Sequence, residues 1–263
     1  MKNAILFCLS VLAAAPALAE DPLVRGEILH GWQTGTQGQM AGLHFQLAPG
    51  WKTYWRAPGD AGIPPSFDWS RSDNVASVQV HWPAPHVFTL NGLTTIGYSG
   101  DVVLPIEITP RDPSRPVRLR GGVEMGVCRD ICVPASLTFD TTIEGPGKPQ
   151  LAISAALANL PEPGTKAGVT SIHCAVTPVK DGLRVEAHLA LPSTGGEETV
   201  VIEPGQPGVW VDQTIVHREG RHLTAVTEMV GPTAAPFALS RDAIVVTVFG
   251  RDRVIEVVGC PAP

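Results

Sequence analysis

Apolar and polar positions alternate along most of the chain, with period two rather than the 3.6 of a helix. The alternation predicts strands over residues 24–32, 40–48, 75–82, 101–108, 116–124 and 136–143. Dense turn signals separate them: Pro49-Gly50, Ala57-Pro58-Gly59-Asp60, Ile63-Pro64-Pro65 and Asp112-Pro113. Residues 83–98 carry two prolines and two glycines among apolar side chains and read as a long irregular connection of the kind that often holds function. Gly145-Pro146-Gly147-Lys148-Pro149 is the clearest linker. A short Ala-rich helix is expected over Gln150–Leu160, stopped by Pro161-Glu162-Pro163-Gly164. From about Val169 the β pattern resumes, with hairpin turns expected at 180–182, 218–220 and 250–252.

This pattern points to an all-β protein of two β-sandwich domains, 20–147 and 165–263, joined over 148–164 by a linker with a short helix. No sequence repeat relates the halves. Composition agrees: 27 glycines and 25 prolines supply the turns that many short strands need.

The first 19 residues read differently. Met1-Lys2 is a short basic start, Ala4–Ala15 is apolar but too short to span a bilayer, and Ala17-Leu18-Ala19 offers small residues to a signal peptidase. Residues 1–19 are therefore expected to be a cleaved export signal that takes Cys8 with it. The chain has 19 basic and 25 acidic residues, a net charge of −6 that becomes −7 once Lys2 is lost. That balance argues against nucleic acid and against an anionic membrane surface as partners. No later stretch reaches 18 apolar residues, so the exported chain is expected to be soluble, without stable membrane insertion.

Four cysteines then remain: Cys128, Cys132, Cys174 and Cys260. Three pairings are possible. The pairing 128–132 and 174–260 keeps each bond within its own half. Closing a loop of 80–90 residues stabilises by about 4.6 kcal/mol in the chain-entropy model, a five-residue loop by roughly 2 kcal/mol. Cys174–Cys260 therefore suits a structural staple, and Cys128–Cys132 is better explained by chemistry than by stapling. In one continuous strand the two would stand roughly 13 Å apart. A three-residue hairpin turn, Arg129-Asp130-Ile131, would instead set them opposite one another, about 5 Å apart at Cα. The candidate chemistry is thiol–disulfide exchange with no cofactor beyond the disulfide. Arg129 would favour a neighbouring thiolate and Asp130 would disfavour one. Two alternatives stay open: an inert structural disulfide, and a copper(I) site completed by His81 and His86. A lone Cys-x₃-Cys lacks the second ligand pair that zinc wants. No nucleophile motif supports hydrolase chemistry. In Trp51-Lys52-Thr53-Tyr54-Trp55-Arg56, alternation would turn Trp51, Thr53 and Trp55 to one face and Lys52, Tyr54 and Arg56 to the other.

Several motifs in order carry a resemblance: Pro-Gly-Trp51-Lys-Thr-Tyr54-Trp55-Arg-x-Pro-Gly-Asp-x-Gly, Trp82-Pro-x-Pro, Ile96-Gly-Tyr98, Leu104-Pro105 and Cys128-x₃-Cys132-Val-Pro134. Residues 24–145 resemble the N-terminal periplasmic domain of the DsbD family of thiol:disulfide interchange proteins. They are closest to the ScsB-like branch, linked to suppression of copper sensitivity, and the second half resembles that branch's additional β domain more loosely. The resemblance implies a periplasmic, immunoglobulin-like domain whose cysteine pair takes electrons from a membrane-embedded thiol reductase. It would pass them to periplasmic thioredoxin-like or disulfide-isomerase-like proteins. It also implies a cap over the pair, mapping onto 86–98 with Phe88 or Leu90 above the sulfurs, and a tyrosine beside the pair, matched by Tyr54. Two features depart from better-known members. Those have five residues between the cysteines, against three here, and this chain has neither the membrane domain nor the thioredoxin-like domain. The electron donor is then expected to be a separate protein. A non-enzymatic periplasmic binding or adaptor module, for copper handling or protein interaction, is the alternative.

Overall fold

The computed structural model describes residues 22–35, 38–90 and 92–263. The expected signal peptide lies outside the described residues. The first half contains β1 (Val24–Thr34), β2 (Gly38–Leu47), β3 (Lys52–Gly59), β4 (Ser66–Asp68), β5 (Val75–Val80), β6 (His86–Leu90), β7 (Leu93–Ser99), β8 (Asp101–Pro110), β9 (Val117–Cys128) and β10 (Cys132–Ile143). They form two antiparallel sheets, ordered β1-β2-β8-β5 and β10-β9-β3-β7-β6, with β4 paired to β9. Leu43, Phe45, Leu104, Ile106 and Ile108 point inward from one sheet and meet Trp55, Ile96, Leu119, Val123 and Val127 from the other. Period-two alternation makes this possible, since every second side chain of a strand faces the partner sheet.

The chain leaves β10 through the expected linker, which runs back along β1: the Gln33 N–H donates to Pro146 O and the Lys148 N–H to Gly31 O. Helix α1 (Leu151–Ala158) follows, and its fully buried Ile153 lies over Gly31 and Gly42. A Cβ on Gly42 would stand 3.0 Å from the Ile153 side chain, so the glycine makes the seat for the helix. Then come β11 (Glu162–Pro163), the short helix α2 (Gly164–Ala167), β12 (Ser171–Val179), β13 (Gly182–Ala190), β14 (Thr199–Glu203), β15 (Trp210–Val211), β16 (Ile215–Glu219), β17 (His222–Val230), β18 (Val245–Phe249) and β19 (Val254–Val258). They make a second pair of sheets, β11-β19-β18-β14 and β12-β13-β17-β15, with β16 also on β17. The fold is all-β and immunoglobulin-like in its sandwiches.

Cys174 on β12 is bonded to Cys260, and both are fully buried. Cys260 lies two residues beyond β19, not within the last strand. The bond still ties the two sheets of this half together, and the Cys174 N–H donates to Pro261 O beside it.

One sequence expectation fails. Residues 83–98 are not an irregular loop, because 86–90 and 93–99 pair as a hairpin with Leu90 opposite Leu93. The sequence signal was Asn91-Gly92 between two apolar runs, and Gly92 stands at φ +81°. The prolines, Pro83 and Pro85, lie just before the hairpin and break nothing within it.

Candidate functional site

β9 ends at Cys128, β10 starts at Cys132, and the ladder sets the two cysteines directly opposite each other. The three-residue turn between them is the one the spacing predicts. Their Cα atoms are 4.1 Å apart and their sulfurs are bonded. The two cysteines are not equivalent. Cys128 is 2% exposed, whereas Cys132 is solvent-exposed. The sheet edge explains this: β10 is the outermost strand of its sheet, whereas β9 is flanked on its other side by β3 and β4.

Tyr54 on β3 reaches the sulfur of the exposed cysteine, its hydroxyl 3.5 Å from Cys132 Sγ. A disulfide sulfur has no proton, so the tyrosine donates. Burial pushes the Tyr54 phenol above its ordinary value, which keeps the O–H protonated through the neutral range. Gly126, without a side chain, lets Ile63 pack closely on β9 beside Tyr54. A Cβ there would stand 2.9 Å from Ile63 Cβ and 3.4 Å from the Tyr54 ring. The Thr53 hydroxyl donates to Gly126 O and pins β3 to β9 at this height.

The turn residues face water. Arg129 Nε donates to Asp130 Oδ2 at 3.1 Å, so the two charges beside the pair largely offset one another. The Arg129 guanidinium also lies 5.3 Å from the centre of the Trp51 ring. Ile131 is 68% exposed at the tip and Ile63 is 48% exposed beside it. Together they give the cysteine end an apolar rim.

Phe88 and Leu90 do not join this group. Phe88 sits on β6, three strand spacings or about 14 Å across the sheet from β9. Lys52, the cross-strand partner of Cys128, stands between: its Nζ donates to Thr95 Oγ1 at 3.1 Å and lies 4.8 Å over the Phe88 ring. Leu90 is 62% exposed at the hairpin turn. Lys52, Ile63 and Gly126 were not singled out from the sequence. Only the Gly126-Val-Cys128 spacing carried a hint, since a glycine two residues from a cysteine in a strand marks close approach by another chain segment.

The candidate copper ligands are not brought to the cysteines. His81 faces Glu107 on β8, in the opposite sheet, and His86 packs edge-on to Phe88. His173 stacks on His188 in the second half. Among the described residues no group of three or more His, Cys, Asp or Glu is arranged to hold a metal ion. No helix among them is long and apolar enough to cross a membrane.

A hairpin that opposes two cysteines on an immunoglobulin-like sheet can be compared with known families. Residues 21–143 match the sequence profile of the family described as "Thiol:disulfide interchange protein DsbD, N-terminal". This segment belongs to the DsbD N-terminal domain family. The fold extends the likeness to the whole chain. The crystal structure of the N-terminal periplasmic domain of ScsB from Proteus mirabilis superposes with a TM-score of 0.69 at 20% identity, covering 94% of this chain and 96% of that one. The reduced DsbD N-terminal domain of Neisseria meningitidis aligns over 47% of this chain and 90% of its own, with 17% identity and a TM-score of 0.25. No curated protein sequence matches the chain. Within the DsbD N-terminal segment, Cys128, Cys132 and Tyr54 form the chemically distinctive group.

Proposed function

We propose that the chain is a periplasmic thiol–disulfide exchange protein. It receives reducing equivalents from a membrane-embedded thiol reductase and passes them through Cys128–Cys132 to periplasmic thioredoxin-like or disulfide-isomerase-like proteins. The observation that supports this best is the unequal exposure of the two cysteines at a sheet edge. An attacking or attacked group can reach Cys132, while Cys128 waits behind it.

In the reduced protein the Cys132 thiolate attacks a sulfur of the partner's disulfide. A mixed disulfide forms, and the partner's other sulfur leaves as a thiolate. The Cys128 thiolate then attacks Cys132 Sγ, the mixed disulfide breaks, and the partner departs with two thiols. The partner gains two electrons and the Cys128–Cys132 bond is restored. The dithiol of the membrane reductase returns the pair to its reduced form by the same two steps in reverse. Tyr54 donates to Cys132 Sγ and stabilises it as a thiolate, whether attacking or leaving.

The test is equilibration of the protein with glutathione buffers, followed by thiol alkylation and mass spectrometry. Cys128–Cys132 should cycle at a moderate potential while Cys174–Cys260 stays oxidised. A Cys128→Ser variant should accumulate a mixed disulfide at Cys132. A pair that never cycles would refute exchange and leave the binding or adaptor module.

A further inference from the structure

The two halves do not close on one another completely. Between them runs a cleft of about 1170 Å³. One wall is the segment 57–64 of the first half, with Pro58, Asp60 and Pro64. The other is made of β14 and β15, with Trp210 at the mouth. The volume exceeds the ~300–1,000 Å³ of ordinary small-molecule pockets.

Two features of the walls specify an occupant. The first is a free strand edge. β14 is the last strand of its sheet and pairs only with β18. Among the described residues, the backbone groups of Thr199–Glu203 make no backbone hydrogen bond to any other segment. Exposed edges are usually blocked by a charge, a proline or a covering element. Here no second strand pairs with β14 among the described residues, and its residues line the cleft, with only Glu203 taken by Arg56. Trp210, 59% exposed, offers an apolar contact next to it.

The second feature is charge. Both arginines of the cleft are already taken. Arg56 forks onto Glu203 and also reaches Glu256, and Arg218 forks onto Glu198. Asp60, Glu197 and Asp212 are exposed on the lining, and no cation pairs with them among the described residues. Asp60 and Asp212 accept only from the backbone, at Thr94 and Gln213. The cleft is thus negative overall. A second copy of this chain, with its net charge of −6, is a poor match. A basic chain is a good one.

We propose that this cleft binds an extended, basic polypeptide segment, which adds as a further strand to the free edge of β14. Main-chain hydrogen bonds to β14 supply the attachment, Trp210 packs an apolar side chain, and Asp60, Glu197 and Asp212 receive alternate lysines or arginines. The inference is independent of the thiol chemistry.

A fluorescein-labelled octapeptide of alternating lysine and valine, titrated into the whole chain and followed by anisotropy, tests it. Saturable one-to-one binding that weakens with added salt is expected, with none for the matching glutamate–valine peptide. The double variant Glu197→Gln/Asp212→Asn should bind roughly three- to thirty-fold more weakly. N-methylation of alternate peptide residues, made in both frames, leaves the charge unchanged and blocks strand pairing in one frame, so one of the two peptides should lose binding to the unaltered protein. Absence of binding at low salt overturns the proposal. So does equal affinity of the double variant, which puts the peptide elsewhere. Parent-like binding by both methylated peptides reduces the effect to charge alone. A concentration-dependent dimer of the free chain in sedimentation would assign the edge to a second copy.

Discussion

The hydroxyl of Tyr54 lies 3.5 Å from the sulfur of Cys132, although 78 residues separate them. Tyr54 is 2% exposed and its phenol is held above its ordinary value by burial, so it stays a donor. Replacing it with phenylalanine removes the donor and keeps the ring. In the reduced protein, Tyr54→Phe should slow alkylation of Cys132 at neutral pH by roughly three- to ten-fold. The pH profile of that alkylation should move upward, as a less stabilised thiolate requires. An unmoved profile would reduce the tyrosine to packing.

The β6–β7 hairpin gives a second test. Phe88 is engaged by Lys52 and Leu90 is in water. Phe88→Ala and Leu90→Ala should therefore leave the alkylation rate of Cys132 within about two-fold of the unaltered protein, since neither removes a contact of the thiolate. Marked acceleration would show that the hairpin visits the sulfurs.

The buried bond Cys174–Cys260 closes a span of 86 residues. Its double alanine variant should lose roughly 2–5 kcal/mol in denaturant unfolding. Redox cycling at Cys128–Cys132 should persist, because the two bonds lie in different sandwiches. Cycling lost in a folded variant would mean that the functional pair had been misassigned.

Glu198 supplies the pH dependence. Burial alone would raise its carboxyl, yet the hydrogen bonds from Arg218 and Thr194 and the charge of Arg218 hold it below the ordinary range. Its side chain is 4% exposed. A depressed carboxyl stabilises the fold fully above its unfolded value and loses that contribution as pH falls through the lower folded value. Glu198→Gln should cost roughly 1–3 kcal/mol at pH 7, discounted because Arg218 stays partly solvated. The gap to the unaltered protein should close as the pH drops below about 4. Urea midpoints measured from pH 7 to pH 3 check this, and a constant gap would contradict it.

The cysteine turn was legible because strand geometry leaves few ways to bring residues 128 and 132 together. Val127, Ile131, Val133 and Pro134 disfavoured a helix, and a three-residue turn was left. The hairpin at 86–99 was misread because Pro83, Pro85, Gly92 and Gly97 were weighed as breakers, while the pairing signal in Asn91-Gly92 was passed over. No local pattern showed the contact of Tyr54 with Cys132, which only the resemblance suggested, or that of Arg56 with Glu203. These contacts join residues 78 and 147 apart, and no local pattern encodes which strands become neighbours. The resemblance marked Tyr54, but not the close packing of Ile63 on Gly126 beside it.

β3 serves two masters within three residues. Tyr54 turns to the disulfide, Trp55 meets Phe249 edge-on at 5.5 Å, and Arg56 spans Glu203 and Glu256. Phe249, Val201 and Val254 of the second half are packed into the first half's core. The linker is thus a misleading place to cut. A fragment ending there would expose Trp55 to water and leave the Arg56 guanidinium without its carboxylates, two residues from the tyrosine that touches Cys132. Trp55 and Arg56 thus tie the strand that carries Tyr54 to the second half as well as to the first.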